Sequence, residues 1–133
     1  MPDAKVMIVT GAGSGIGYET ALIAAREGFS IVAVSLDQPK LYELADTIVR
    51  EGGACVVLPL DVTQRDAPQR VVQTARETYG RIDVLVHIAG AATAGALLEQ
   101  SDAQIDAQWH LHVAAPLRIT REALPLLKQS KGH

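Results

Sequence analysis

The chain has 133 residues, 48% of them apolar, with 12 Lys and Arg against 15 Asp and Glu for a net charge of −3. That length can bury the core of one domain, and the mixed composition excludes a disordered or fibrous chain. The slightly acidic balance argues against broad electrostatic capture by nucleic acid or anionic membranes.

The first element is the apolar run 5–10, which reads as a strand ending at Thr10. A turn with Gly11, Gly13, Gly15 and Gly17 follows, and then residues 16–27, rich in Ala, Ile and Glu, read as a helix capped by Gly28. Strand, glycine-dense turn and helix N-terminus in that order make a site for phosphate. Glycines let the backbone turn and approach an anion closely, while free N–H groups and the positive end of the helix dipole face it. The flanking strand and helix make the glycine pattern credible as a dinucleotide signature.

Residues 30–34 form a second β-rich run. In 40–51, Leu41, Leu44, Ala45, Ile48 and Val49 follow helical spacing, and Gly52 and Gly53 end that helix. Residues 54–60 predict a third strand, with Pro59 marking an edge position or a strand end. Cys55 lies in this run. As the one cysteine it has no intramolecular disulfide partner, and its apolar setting predicts a buried, inert thiol. With no second Cys and no clustered His pair, a structural zinc site is not expected.

Residues 64–79 predict a third helix with Val71, Val72, Ala75 and Tyr79 on one side, closed by Gly80. Residues 82–89 form an apolar fourth strand, and 90–98 a loop of small residues. Residues 101–128 read as one long helix with Ile105, Trp109, Val113, Leu117, Thr120, Leu124 and Leu127 facing inward. Pro116 predicts a kink in it and a freed carbonyl at His112, because proline cannot donate to the residue four back. The near-continuous apolar strands indicate a parallel sheet covered on both faces, and the alternating order is βαβαβαβα in one domain. No signal peptide is visible, and the uncharged stretch 84–98 is too short to span a bilayer, so a soluble, cytoplasmic protein is expected.

A dinucleotide site also needs a polar or acidic group after the second strand to hold the adenosine ribose. Asp37 lies at about the right distance, and Asp61 after the third strand is a second candidate, with a turn or helix-cap role as its alternative.

Together these residues resemble the short-chain dehydrogenase/reductase family. Residues 10–17 match its T-G-x-x-x-G-x-G motif, and Asp61, Val62 and Thr63 match its D-V-T segment. Ala89 and Gly90 match the end of N-N-A-G, and residues 120–125 look like its T-R-x-x-L-P. The resemblance covers the whole chain and about the first half of a typical member. It implies an α/β, Rossmann-like parallel sheet with helices on both faces, in strand order 3-2-1-4. It also implies NAD or NADP as cofactor, and hydride transfer between nicotinamide and a carbonyl or alcohol substrate.

On that resemblance, Thr10, Gly11, Gly13, Ser14, Gly15, Ile16 and Gly17 would surround the pyrophosphate and its ribose. Ser35, Leu36 and Asp37 would face the adenosine ribose, Asp61 and Val62 the adenine, and Ala89 and Gly90 the nicotinamide side. Family alignment puts Ser35 where NAD-preferring members carry Asp. With no Arg or Lys at positions 14, 35 or 36 to meet a 2′-phosphate, the lean is to NAD.

The family's catalytic Ser and Tyr-x-x-x-Lys belong after the long helix. None of Tyr18, Tyr42 or Tyr79 has Lys four residues on; those positions hold Leu22, Asp46 and Asp83. His87 and Ile88 replace the two Asn of N-N-A-G. His112 takes the place of the helix Asn in the family's proton relay, and His110 is expected to face solvent. The leading expectation is an oxidoreductase's dinucleotide-binding half, without turnover by itself. The alternative is a non-catalytic dinucleotide-binding or oligomerisation module. A remoter one is a nucleotide-binding fold for flavin or another phosphate ligand. A homo-oligomer is expected, because the fourth strand would be an apolar sheet edge and the family's long helix commonly packs on a partner subunit.

Overall fold

A computed structural model describes residues 3–133. Its elements are β1 (Val6–Thr10), α1 (Gly15–Arg26), β2 (Ser30–Ser35), α2 (Gln38–Arg50), β3 (Ala54–Pro59), α3 (Ala67–Tyr79) and β4 (Val84–His87). A 3-10 turn (Leu97–Glu99), α4 (Asp102–Trp109), a π-helical turn (His110–Ala114) and α5 (Ala115–Ser130) complete it. The strands form one sheet in the order β3-β2-β1-β4, all parallel, as the family resemblance implies. Chain direction across the sheet reverses between β1 and β4, and an α/β sheet opens a crevice at such a reversal, beyond the carboxyl ends of its strands.

Alternation along the strands builds a core on each face. Val6 and Ile8 of β1 and Val32 and Val34 of β2 pack with Val71, Val72 and Ala75 of α3 and with Ile119 and Ala123 of α5. Val9, Ile31 and Ala33 point the other way, against Ala21 of α1 and Leu41, Leu44 and Ile48 of α2. Each fully buried Val, Leu or Ile contributes about 1.5–3 kcal/mol. β1 and β2 are enclosed, whereas the edge strands β3 and β4 are half-buried; β3 still packs on both faces, with Val56 and Leu58 in one core and Cys55 and Val57 in the other. Pro59 is both the last residue of β3 and on an edge strand. Cys55 beside it is half-buried rather than fully enclosed. Loss of hydration still pushes its thiol up to about 12.

The outer edge of β4 is partly paired. After α5 the backbone turns at Lys131, in the left-handed region, and His133 donates to the Asp83 carbonyl (2.8 Å) while accepting from Leu85 N–H (2.9 Å). At the opposite end of the sheet from the crevice, the Asp83 carboxylate accepts from Val6 N–H (2.8 Å) and pairs with Arg81 Nε and Nη2. Burial opposes that charge, but the Arg81 and Val6 bonds outweigh it and hold the Asp83 carboxyl below its ordinary value.

The predicted long helix differs most from expectation. It is three segments, with the π turn immediately before Pro116, where the kink was expected. Its buried stripe is Ala115, Ile119, Ala123, Leu126 and Leu127, whereas Ile105, Trp109, Leu117 and Leu124 are exposed. Only Leu127 of the expected stripe is fully buried. Apolar spacing alone favoured the large side chains; the close approach of α5 to α3 instead selects small Ala115 and Ala123.

Candidate functional site

The crevice beyond the strand ends is a cleft of about 580 Å³. Its floor is the turn after β1. Gly11 has φ +70, and a Cβ there would lie 2.6 Å from Ala89 N, so only glycine suits both the backbone and the passing end of β4. A Cβ on Gly17 would collide with the Gly11 carbonyl, so α1 can start against the turn only with glycine there. Ala12 N–H donates to the Val34 carbonyl (3.1 Å), tying the turn to β2. Gly15 has φ +52 and open space around it. Ser14 is the N-cap of α1, but its hydroxyl makes no capping bond, and no acidic residue occupies the first turn. The first N–H groups of α1 are therefore left for an anion.

Thr10 fixes the central junction. Its buried hydroxyl accepts from Ile88 N–H and Ala89 N–H (both 3.2 Å) and donates to the Val86 carbonyl (3.5 Å). It thereby lashes the end of β4 to β1. His87, where the family has its first Asn, instead meets Thr120 of α5, with Nε2 and Oγ1 2.8 Å apart. Burial lowers the His87 pKa, so the ring is held neutral.

The cleft walls include Gly11, Ser14, Gly15, Ile16, Ser35, Leu36, Asp61, Val62, Ala89 and Gly90. Thr10 and Gly17 support them from behind, and Gly13 packs against the Ser35 side chain. Exposed Ile16 and Leu36 offer apolar rims that a flat ligand could cover. Asp37 is not among the lining residues. Its carboxylate caps α2, accepting from Lys40 N–H (3.2 Å), and its own N–H donates to the Ser35 hydroxyl (3.1 Å). Asp61 lines the cleft and also holds a turn, accepting from both Thr63 N–H (2.9 Å) and Thr63 Oγ1 (2.7 Å). His110 is exposed, as expected. His112 is not among the lining residues either; it holds the segment that is, with Nε2 2.7 Å from the Ala91 carbonyl.

Sequence reasoning missed Val34, Leu60, Ile88, Ala107 and Leu111 as cleft-lining residues, and named Thr63 only as part of the D-V-T segment. It also missed the bond from Gln108 to Thr93 (3.2 Å). These are contacts between distant segments, and no local pattern announces them. A more open groove of about 840 Å³ between α1 and α2 shares Ser14, Gly15 and Ile16 with it but contains no strand residue. The strand-end cleft is the better candidate for that reason. Among the described residues no cluster of three or more His, Cys, Asp or Glu could hold a metal, and no helix is long and apolar enough to cross a membrane.

The residues fit a dinucleotide on one observation: the uncapped amides at the start of α1 open on the cleft beside Gly15, which no protein atom crowds. Comparisons with known proteins agree. A short chain dehydrogenase of Pseudocercospora fijiensis is 35% identical over 131 residues, covering 96% of this chain and 42% of that protein. An uncharacterized oxidoreductase of Staphylococcus aureus is 29% identical over 130 residues, covering 97% and 55%. The chain thus spans about half the length of the curated relatives it matches.

The L-sorbose reductase of Gluconobacter frateurii, solved with NADPH and L-sorbose, superposes with a TM-score of 0.90 at 31% identity, covering 95% of this chain and 48% of that one. The alcohol dehydrogenase of the archaeon Thermococcus sibiricus, solved with 5-hydroxy-NADP, gives 0.92 at 26% identity, covering 98% and 56%. The short chain dehydrogenase family pattern matches residues 5–133. By that match over nearly its whole length, the chain belongs to the short chain dehydrogenase family.

Proposed function

We propose that the strand-end cleft binds a nicotinamide dinucleotide and that the chain supplies the coenzyme-binding part of an oxidoreductase acting on a carbonyl or alcohol. The uncapped start of α1 carries this reading, because its free amides open on the cleft beside Gly15, which no protein atom crowds. When bound, the coenzyme would give or take a hydride. Gly11, Gly13, Ser14, Gly15, Ile16 and Gly17 would hold the diphosphate side, with Thr10 fixing the turn beneath. Ser35, Leu36, Asp61 and Val62 would bound the adenosine, and Ala89 and Gly90 the opposite end.

Asp37 would act through the α2 cap and the Ser35 hydroxyl rather than touch the ribose itself. No Lys or Arg is among the cleft-lining residues, which supports NAD over NADP. His112 stands at the relay position of the family. The chain has no Tyr-x-x-x-Lys pair, so proton transfer to a substrate oxygen has no donor of the family's kind. The expected result is binding without turnover. NADH and NADPH titrated by fluorescence should saturate, with NADH tighter, while a panel of carbonyls causes no coenzyme oxidation. Failure of both coenzymes to bind, with FAD binding instead, would overturn the reading.

The alternative of an assembly module is favoured by a separate observation: Ile105, Trp109, Leu117 and Leu124 are exposed along α4 and α5. A homo-oligomer through that surface is compatible with dinucleotide binding.

A further inference from the structure

The segment 90–96, Gly-Ala-Ala-Thr-Ala-Gly-Ala, forms one wall of the cleft and has no regular secondary structure. All seven residues are exposed, so no buried side chain anchors it. Two polar side chains hold it instead. His112 Nε2 lies 2.7 Å from the Ala91 carbonyl and 3.4 Å from the Ala91 nitrogen; the Nε2–H tautomer donates to the carbonyl, the shorter contact of the two. Gln108 Nε2 donates to Thr93 Oγ1 at 3.2 Å. The two holders are four residues apart, one at the end of α4 and one inside the π-helical turn. The π turn sets the angle between them, and such turns recur at functional positions.

The His112 ring also explains Gly90. A Cβ at position 90 would lie 2.8 Å from His112 Cε1, so ring and glycine fit only as a pair. The same imidazole thus bonds the segment at Ala91 and packs on it at Gly90, the two residues by which the segment lines the cleft.

We propose that His112 is a positioning residue: it pins residues 90–93 to the helix and so fixes the wall against which the nicotinamide end of the coenzyme would bind. This rests on the dinucleotide reading above. In this role the ring needs only an N–H at Nε2, and it need not carry a proton to a substrate. Glutamine can supply a similar amide donor and alanine cannot.

Backbone 15N order parameters of the free protein and NADH or NADPH affinity test the proposal together, on the unmodified chain, H112A and H112Q. In H112A, the order parameters of 91–93 should fall below about 0.6, the flexible range, and the tighter coenzyme should bind about 3- to 10-fold more weakly, the loss expected for one neutral hydrogen bond. H112Q should recover most of both effects. A thermal midpoint unchanged in H112A would place the effect in the wall rather than in global stability. Unchanged order parameters in H112A overturn the proposal, and so do lower ones with unchanged affinity. An unmodified chain that binds neither coenzyme overturns the dinucleotide reading and the proposal together, whereas binding that H112A leaves intact overturns the proposal alone.

Discussion

At the scale of single residues, Thr10 and His87 hold the site's geometry from below. The Thr10 hydroxyl serves two N–H groups of the chain leaving β4, and Thr10→Val keeps the shape while orphaning both. We expect a loss of about 1–3 kcal/mol in urea unfolding, the usual cost of a buried unsatisfied donor. His87 makes a pH prediction. Burial holds its pKa below the ordinary 6.5, so the unfolded chain takes up a proton that the native chain refuses. Its stabilising contribution is complete above about pH 6.5 and declines as pH falls from there toward the folded pKa. The thermal midpoint of the native chain should therefore drop between pH 7.5 and 5.5, and by less in His87→Asn, which can still bond Thr120 but does not titrate. Equal drops in the two proteins would show that His87 is not the group responsible.

The glycines of the first turn were legible in the sequence, because a tight turn against a neighbouring strand leaves no other residue possible. Asp37 was legible only as a polar group after β2. Whether its carboxylate faces a ribose or caps a helix depends on the start of α2, and the structure shows the cap.

At the scale of elements, four strands and the first three helices followed from apolar runs and glycine stops, and the strand order from the family resemblance. The α4–α5 region did not. Its residues carry two apolar stripes, one on α3 and one open, and spacing alone cannot say which is covered. The π turn adds an irregularity that Pro116 signals in place but not in kind. The open stripe of Ile105, Trp109, Leu117 and Leu124 leads to the expectation that the chain associates. Light scattering at micromolar concentration should give a dimer or larger species, and L117E with W109E should shift it toward monomer. A monodisperse monomer of the unmodified chain would count against association through this surface.

At the scale of the whole molecule, a sheet whose order reverses at β1 and β4 places the glycine turn, the Ser35 end of β2 and the Ala89–Gly90 exit of β4 around one cleft. Membership of the short chain dehydrogenase family accounts for that arrangement. The central claim is that the amides opening α1 receive a diphosphate. The most direct measurement is a crystal structure of the chain grown with NADH or NADPH. The account predicts the diphosphate within hydrogen-bond distance of backbone N–H groups between residues 13 and 17. Coenzyme bound elsewhere, with that turn empty or collapsed, would contradict it.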